Sequence, residues 1–143
     1  MLAEEGHKAR IAFGCAAIAG LYEPVSMDDS RDVLEAAWDA GIRRFDTAPF
    51  YGLGLSEQRV GDFLREKPRA SFTLSSKVGR LLEPLEDDAP DPPLGHLRHK
   101  VRFDYSHDGI MRSYEQSLAR LGLDRIDILY VHDIGEFAHG SEE

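Results

Sequence analysis

The fold of this chain is decided by a joint at which a helix ends on a glycine and a strand begins. The joint reads Leu121-Gly122-Leu123-Asp124-Arg125-Ile126-Asp127-Ile128-Leu129-Tyr130-Val131-His132. An earlier joint, Ala40-Gly41-Ile42, has the same helix–glycine–strand order. Glycine commonly follows a helix end because it adopts a left-handed backbone without steric cost. Two such joints indicate a chain in which helices and strands alternate.

The apolar pattern predicts four strands separated by helices. The predicted strands are Arg10–Cys15, Ile42–Asp46, Ser71–Lys77 and Arg125–His132. The predicted helices run from a Ser26 cap to Gly41, from a Ser56 cap to just before Pro68, and from near Ser106 to Gly122. Repeated strand–helix–strand units imply a parallel sheet with right-handed crossovers. Two architectures fit this pattern: a doubly wound open sheet, or an arc of a (β/α)8 TIM barrel.

One segment, from about Val78 to Tyr105, interrupts the alternation. It contains the acidic, proline-rich run Glu86-Asp87-Asp88-Ala89-Pro90-Asp91-Pro92-Pro93, and the sequence predicts no helix or strand in it. Connections of this length are uncommon inside a domain and are often functional or mobile. We expect either a mobile surface loop or a lid over a substrate site.

Composition excludes several classes of function. The formal net charge of −9 argues against non-specific binding to nucleic acid or to anionic membranes, which both require a basic surface. Cys15 is the only cysteine, so an intrachain disulfide is excluded and a reducing, cytoplasmic setting is expected. The acidic start of the sequence is unlike a secretory signal, and the longest apolar stretch, Ile11 to Tyr22, is too short to span a bilayer. We expect no membrane or nucleic-acid partner.

Four polar residues fall at or just after the predicted strand ends. Asp46, Lys77 and His132 end the second, third and fourth strands, and Tyr51 lies in the loop after the second. Parallel α/β folds place their active sites at the carboxyl ends of the strands. A lysine ammonium about 4 Å from a phenol would favour the phenolate by roughly 4 kcal/mol at an effective dielectric of about 20. Together the four side chains predict a site for proton transfer, although each alone is more commonly a cap, an ion-pair partner or a rim residue.

Two other signals are weak. Gly52-Leu53-Gly54 supplies two glycines of a dinucleotide fingerprint, but Glu57 stands where the third glycine belongs. His96, His99 and His107 match no spacing of zinc ligands, and we predict no metal site. Cys15 is expected to be a small buried side chain.

The same residues carry a resemblance to a known family. The stretches Phe45–Glu57, Ser75–Gly79 and Leu118–Ile128, followed by Val131-His132-Asp133, resemble the segments around the catalytic Asp, Tyr, Lys and His of the aldo-keto reductases. Phe103–Ser106 and His132–Gly135 resemble the branch that includes aldose, L-fucose and pyridoxal dehydrogenases. The resemblance covers the chain from about Ile11 to its last residue.

The resemblance implies an enzyme that moves hydride between NAD or NADP and a small aldehyde, aldose or lactol. It assigns Tyr51 as the general acid in reduction and the base in oxidation. Lys77 and Asp46 would tune the phenol, His132 would polarise or orient the substrate, and Asp46 would also contact the cofactor. These assignments are expectations.

The resemblance also implies a fold and its incompleteness. A TIM barrel needs about 250 residues, so the 143 residues are expected to form the N-terminal half of one: four parallel strands with intervening helices, without the later loops that hold the cofactor diphosphate and adenine. Such a half-barrel would expose sheet edges and invite self-association. The alternative function is therefore a catalytically inactive half-barrel fragment or an interaction module.

Overall fold

The computed structural model describes residues 11–140 and contains a four-stranded parallel sheet beside a two-stranded hairpin. In chain order the elements are β1 (Phe13–Gly14), α1 (Met27–Asp39), β2 (Arg44–Asp46), α2 (Leu55–Leu64), β3 (Thr73–Val78), β4 (Arg80–Pro84), β5 (His99–Phe103), α3 (His107–Leu121), β6 (Ile128–Val131) and α4 (Glu136–His139). The parallel sheet has the order β1-β2-β3-β6. Because its strands follow one another in chain order without a reversal, the sheet is an arc of a (β/α)8 barrel and not a doubly wound sheet.

The strand register places corresponding ends side by side. Phe45 is opposite Phe13 on one side and Leu74 on the other. Ser75 is opposite Ile128 on the far side of β3. The predicted first strand was too long, since pairing covers only two residues of it, and Arg10 lies outside the described residues.

Serine and glycine mark the ends of α1 and α3, as predicted. The Ser26 hydroxyl accepts the backbone N–H of Asp29 at 3.0 Å, and the Ser106 hydroxyl accepts that of Gly109 at 3.1 Å. Each bond satisfies an amide that has no partner within the helix. Gly41 and Gly122 follow the helix ends with φ of +89° and +62°, so these two boundaries are confirmed.

The predicted cap of α2 was wrong. Helix α2 begins at Leu55, after Gly54, and Ser56 caps nothing. The buried Ser56 hydroxyl instead donates to the Cys15 carbonyl at 2.8 Å and lies 2.8 Å from the Thr47 hydroxyl. Gly54, with φ of +103°, lets the chain turn into the helix before Ser56 is reached. The serine therefore joins the ends of β1 and β2.

The absence of structure predicted between Val78 and Tyr105 was also wrong. Strands β4 and β5 pair antiparallel, with Leu82 opposite Val101. The acidic, proline-rich run forms part of the connection between them. The hairpin folds back over the turn that follows β2, because the Leu97 N–H donates to the Gly52 carbonyl and Nδ1 of His99 donates to the Leu53 carbonyl, both at 3.0 Å. We call residues 80–103, which comprise β4, β5 and their connection, the hairpin.

The hydrophobic core lies between the parallel sheet and helices α1, α2 and α3. Its centre is aromatic: Trp38 and Phe63 each pack about the Phe45 ring, at centroid distances of 6.3 and 6.2 Å. The remaining buried core residues are Cys15, Ile18, Leu34, Ala37, Val60, Leu64, Phe72, Leu74 and Leu121. Burial raises the pKa of the Cys15 thiol far above its usual value, which agrees with a packing role for this residue. Trp38 is a packing residue too.

The outer strand of the arc, β6, is open to solvent. Ile128, Leu129, Tyr130 and Val131 are each 41–52% exposed. In the part of the chain that the structure describes, this strand pairs only with β3. No helix among residues 11–140 is long and apolar enough to cross a membrane.

Candidate active site

The sheet brings the four predicted side chains to one end of the arc. Asp46 ends β2, Lys77 is the penultimate residue of β3, and His132 follows β6 directly. Tyr51 opens a short 3-10 turn, Tyr51–Gly54, just after β2. Parallel pairing of β2, β3 and β6 sets these positions, since it aligns the carboxyl ends of the strands.

Lys77 is the centre of the group. Its Nζ donates to Asp46 Oδ2 at 2.7 Å and to the Thr47 carbonyl at 2.9 Å. The same Nζ lies 4.7 Å from the centroid of the Tyr51 ring. Burial lowers the pKa of Lys77, but hydrogen bonding and charge interaction with Asp46 and Tyr51 outweigh it, and the net shift is upward. Lys77 therefore stays a cation beside the phenol.

Asp46 is held in place from both sides. The Ser75 hydroxyl donates to Oδ1 at 2.7 Å, while Lys77 occupies Oδ2. Sequence inspection gave no role to Ser75, which lies opposite Asp46 in the β2–β3 register. With both oxygens engaged, the carboxylate anchors the lysine ammonium at a fixed position.

His132 is a buried, neutral imidazole. Its ring is T-shaped to the Tyr51 ring, with centroids 6.0 Å apart, and the residue is 7% exposed. The pKa of His132 is lowered to about 4, mainly by burial and secondly by the positive charge of Arg80. Nε2 lies 3.3 Å from Asp133 Oδ2, whereas Nδ1 is buried without a hydrogen-bond partner. This arrangement assigns the hydrogen of the neutral ring to Nε2.

The residues after β5 complete the wall beside His132. The Tyr105 hydroxyl donates to the His132 carbonyl at 2.9 Å, and Nε2 of His139 lies 2.9 Å from that hydroxyl. Gly79, with φ of +101°, makes room for this contact, because a Cβ there would overlap the Tyr105 ring. The sequence signal that could have found the contact is the glycine directly after the strand that carries Lys77.

A buried ion pair lies behind the site. Glu57 is fully buried, accepts the Ser76 hydroxyl at 2.8 Å and accepts Arg120 Nε at 2.6 Å. A helix capped by Ser56 would have Glu57 in its first turn, and nothing in the local sequence indicates that this carboxylate is buried. The pair joins α2, β3 and α3, and Ser76 is the neighbour of Lys77 in β3.

The three remaining histidine candidates lie apart from one another: two bond to backbone carbonyls and the third is on the surface. Nε2 of His96 donates to the Gly20 carbonyl at 3.1 Å, His99 donates to Leu53, and His107 is exposed next to Asp108. Among residues 11–140 no group of three or more His, Cys, Asp or Glu side chains is placed to hold a metal ion. Gly52 packs against Ala19, where a Cβ would have no space. Packing of the turn after β2 therefore explains this glycine without a dinucleotide fingerprint.

Fold and site together define a class: an arc of parallel β/α units with polar side chains at its carboxyl edge is part of a (β/α)8 barrel. The chain belongs to the Aldo/keto reductase family, an oxidoreductase family whose match covers residues 10–141. The predicted family and the partial-barrel fold are both confirmed.

Two curated relatives are similar over most of the chain. Pyridoxal 4-dehydrogenase of Microbacterium luteolum is 47% identical over 140 residues, which cover 90% of this chain and 41% of the relative. D-threo-aldose 1-dehydrogenase of a Pseudomonas species is 48% identical over 130 residues, covering 86% and 39%. The chain thus spans about two fifths of the length of these relatives.

Solved structures show the same architecture. Glycerol dehydrogenase of Gluconobacter oxydans has a TM-score of 0.66 and 30% identity, covering 92% of this chain and 38% of that one. The holo form of an aldo-keto reductase from Bacillus halodurans has a TM-score of 0.63 and 28% identity, covering 83% and 34%. Both likenesses support the barrel arc.

Proposed function

We propose that this chain carries the acid–base centre of a nicotinamide-dependent oxidoreductase that acts on a small aldehyde, aldose or lactol. The observation that carries the proposal is the hydrogen-bonded Lys77–Asp46 pair against the Tyr51 ring, with the neutral His132 ring T-shaped to the same ring. The names of the relatives, pyridoxal 4-dehydrogenase and D-threo-aldose 1-dehydrogenase, support the substrate class.

In the proposed reaction Tyr51 moves a proton at the substrate oxygen. In reduction the phenol donates to the carbonyl oxygen as the alcohol forms; in oxidation the phenolate takes the hydroxyl proton back. Lys77 stabilises the phenolate by its charge, and Asp46 holds Lys77 in reach. Nε2 of His132 donates to the same oxygen, because a neutral imidazole carries one N–H donor.

The residues present fit the reacting end of NAD or NADP, whose nicotinamide would supply or accept the hydride. Asp46, at the end of β2, would contact it beside the substrate. The fit rests on the donor set around the Tyr51 ring: the Lys77 ammonium lies 4.7 Å from its centroid, and the centroid of the His132 ring lies 6.0 Å from it. Either NAD or NADP is proposed as the cofactor. A cytoplasmic location is also proposed, and the single, buried Cys15 supports it.

The test compares Tyr51→Phe with Tyr114→Phe, a matched loss of a hydroxyl on α3. Turnover is followed by nicotinamide absorbance and cofactor binding by calorimetric titration with NADPH and NADH. Tyr51→Phe is expected to lower turnover by roughly 10²- to 10⁴-fold while cofactor binding is kept, and Tyr114→Phe to change neither. Turnover of Tyr51→Phe close to that of the unmodified chain would contradict the assigned role.

A second candidate is an inactive half-barrel or interaction module, and the open strand β6 favours it. Self-association through this edge belongs to the same candidate. The NADPH titration separates the two: saturable binding supports the enzyme, and no heat from a folded sample supports the module. Sedimentation of the same sample reports the association state.

A further inference from the structure

A buried cation stands beside the predicted acid–base group. Arg80 is the first residue of β4, three positions after Lys77, and its side chain is only 7% exposed. The Ser113 hydroxyl of α3 donates to its backbone carbonyl at 3.3 Å. A buried charge is destabilising unless it is paired. The groups that contact this guanidinium therefore indicate its role in the site.

Two aromatic rings and one carboxylate surround the guanidinium. Cζ lies 4.2 Å from the centroid of the Phe50 ring and 5.2 Å from that of Phe103. Nη2 donates to Asp133 Oδ2 at 2.6 Å. The rings, one before Tyr51 and one at the end of β5, provide cation–π contacts to the guanidinium, and Asp133 provides its ion pair.

Asp133 faces two possible partners with one oxygen. Oδ2 is 2.6 Å from Arg80 Nη2 but 3.3 Å from His132 Nε2. The shorter contact has the length of a charge-assisted hydrogen bond, whereas the longer one is at the weak end of the range. Asp133 also has φ of +46°, an uncommon backbone for a residue other than glycine, although Asp and Asn tolerate it best.

We propose that Arg80 is a positioning residue: it engages the Asp133 carboxylate that would otherwise pair with His132, and so leaves the imidazole N–H free for a substrate oxygen. The part that concerns substrate rests on the proposed function. The part that concerns His132 is a property of this chain and is measurable without turnover.

The other charged or titratable groups around His132 do not replace Arg80. Lys77 on β3 and Asp46 on β2 are paired with each other. Tyr51 presents its ring, Tyr105 binds the His132 carbonyl, and His139 binds Tyr105. Of the charges that act on His132, Arg80 has the largest effect, and its removal leaves the Asp133 carboxylate facing the imidazole.

The experiment is an NMR titration of the histidine ring protons in the purified chain, with the His132 signal assigned by its loss in His132→Asn. In Arg80→Met the His132 titration midpoint is expected to rise by about one to three pH units, since a like charge is lost and an opposite charge is freed. Arg102→Met is the matched control, because the Arg102 side chain is 43% exposed and pairs with Glu83 on β4 and with Asp104 just after β5. In Arg102→Met the His132 titration midpoint is expected to be unchanged.

A second variant tests the competition for Asp133. In the D133N background, Arg80→Met is expected to raise the midpoint by less than it does alone, because the freed carboxylate is absent. An equal rise in both backgrounds would show that Arg80 acts only as a distant charge and would overturn the competition. An unchanged midpoint in Arg80→Met would overturn the whole proposal.

Folding and function are separated by two further readouts. Circular dichroism checks each variant, and if Arg80→Met does not fold, D133N decides alone: its midpoint must stay at or below that of the unmodified chain, and a rise overturns the proposal. Where turnover is measurable, Arg80→Met is expected to lose activity at a higher pH on the acidic side than the unmodified chain. Absence of turnover contradicts the proposed function and leaves the titration to decide the role of Arg80.

Discussion

Replacing Glu57 with alanine is expected to destabilise the chain strongly. Glu57 is 0% exposed and is the partner of Arg120, whose side chain is 12% exposed. Removing one member of a buried ion pair leaves the other charge buried without compensation, which costs about 3–5 kcal/mol. Domains of this kind are stable by about 5–15 kcal/mol in total, so the loss is a large share of the free energy of unfolding.

The geometry around Glu57 supports the upper part of that range. Both carboxylate oxygens are engaged, Oε1 by Ser76 and Oε2 by Arg120. Alanine therefore strands a hydroxyl and a guanidinium together. The double variant Glu57→Leu/Arg120→Met removes both charges, and its loss is expected to be smaller than that of Glu57→Ala alone.

The assay is urea-induced unfolding followed by far-UV circular dichroism. The matched control is Glu35→Ala, which removes an exposed carboxylate four residues from Arg31 on α1. Exposed pairs of this type contribute about 0.3–0.5 kcal/mol. A loss below about 1 kcal/mol for Glu57→Ala, similar to that of the control, would refute the reasoning from burial.

Two further predictions concern packing and pH. Gly61→Ala is expected to lower the melting temperature, although alanine gains up to about 1 kcal/mol of helix propensity. The reason is that a Cβ at position 61 would overlap the backbone carbonyl of Leu121, where α2 crosses α3. A higher melting temperature would contradict this close approach. His132 has a pKa of about 4 in the folded chain against an ordinary 6.5, so the unfolded chain binds more protons between these values and stability falls as the pH is lowered through this window, by at most about 3 kcal/mol. Urea unfolding at several pH values checks this, and His132→Gln is expected to flatten the dependence.

The parallel arc and the convergence of four site residues could be predicted because they depend on local patterns. A strand end is visible from its apolar run, and parallel pairing then sends Asp46, Lys77 and His132 to the same edge. The Ser26 and Ser106 caps were predictable for a similar reason, since cap and amide are three residues apart. The catalytic roles of the four residues stay predictions.

What the sequence analysis missed depends on partners distant along the chain. Glu57 has the local signature of a helix start, and only Arg120, contributed by α3, makes it a buried acid. Leu82 and Val101 are opposite each other in the hairpin, but the connection between their strands is rich in proline and acidic residues. The local pattern of that connection gave no indication that the strands pair. Arg80 and Asp133 are 53 positions apart, one at the start of β4 and the other after β6. No periodicity reports such contacts.

The turn that carries Tyr51 has a consequence for which parts of the hairpin can change over time. Gly52, Leu53 and Gly54 all have positive φ, and the leucine among them costs roughly 1–3 kcal/mol. Leu97 and His99 hold this turn through its carbonyls, while most of residues 85–96 are spent on the connection. The connection is held as well, because Nε2 of His96 donates to the Gly20 carbonyl and Nη2 of Arg98 donates to the Glu86 and Ala89 carbonyls. A change in the length of the connection is therefore expected to shift Leu97 and His99, and with them the turn that carries the phenol.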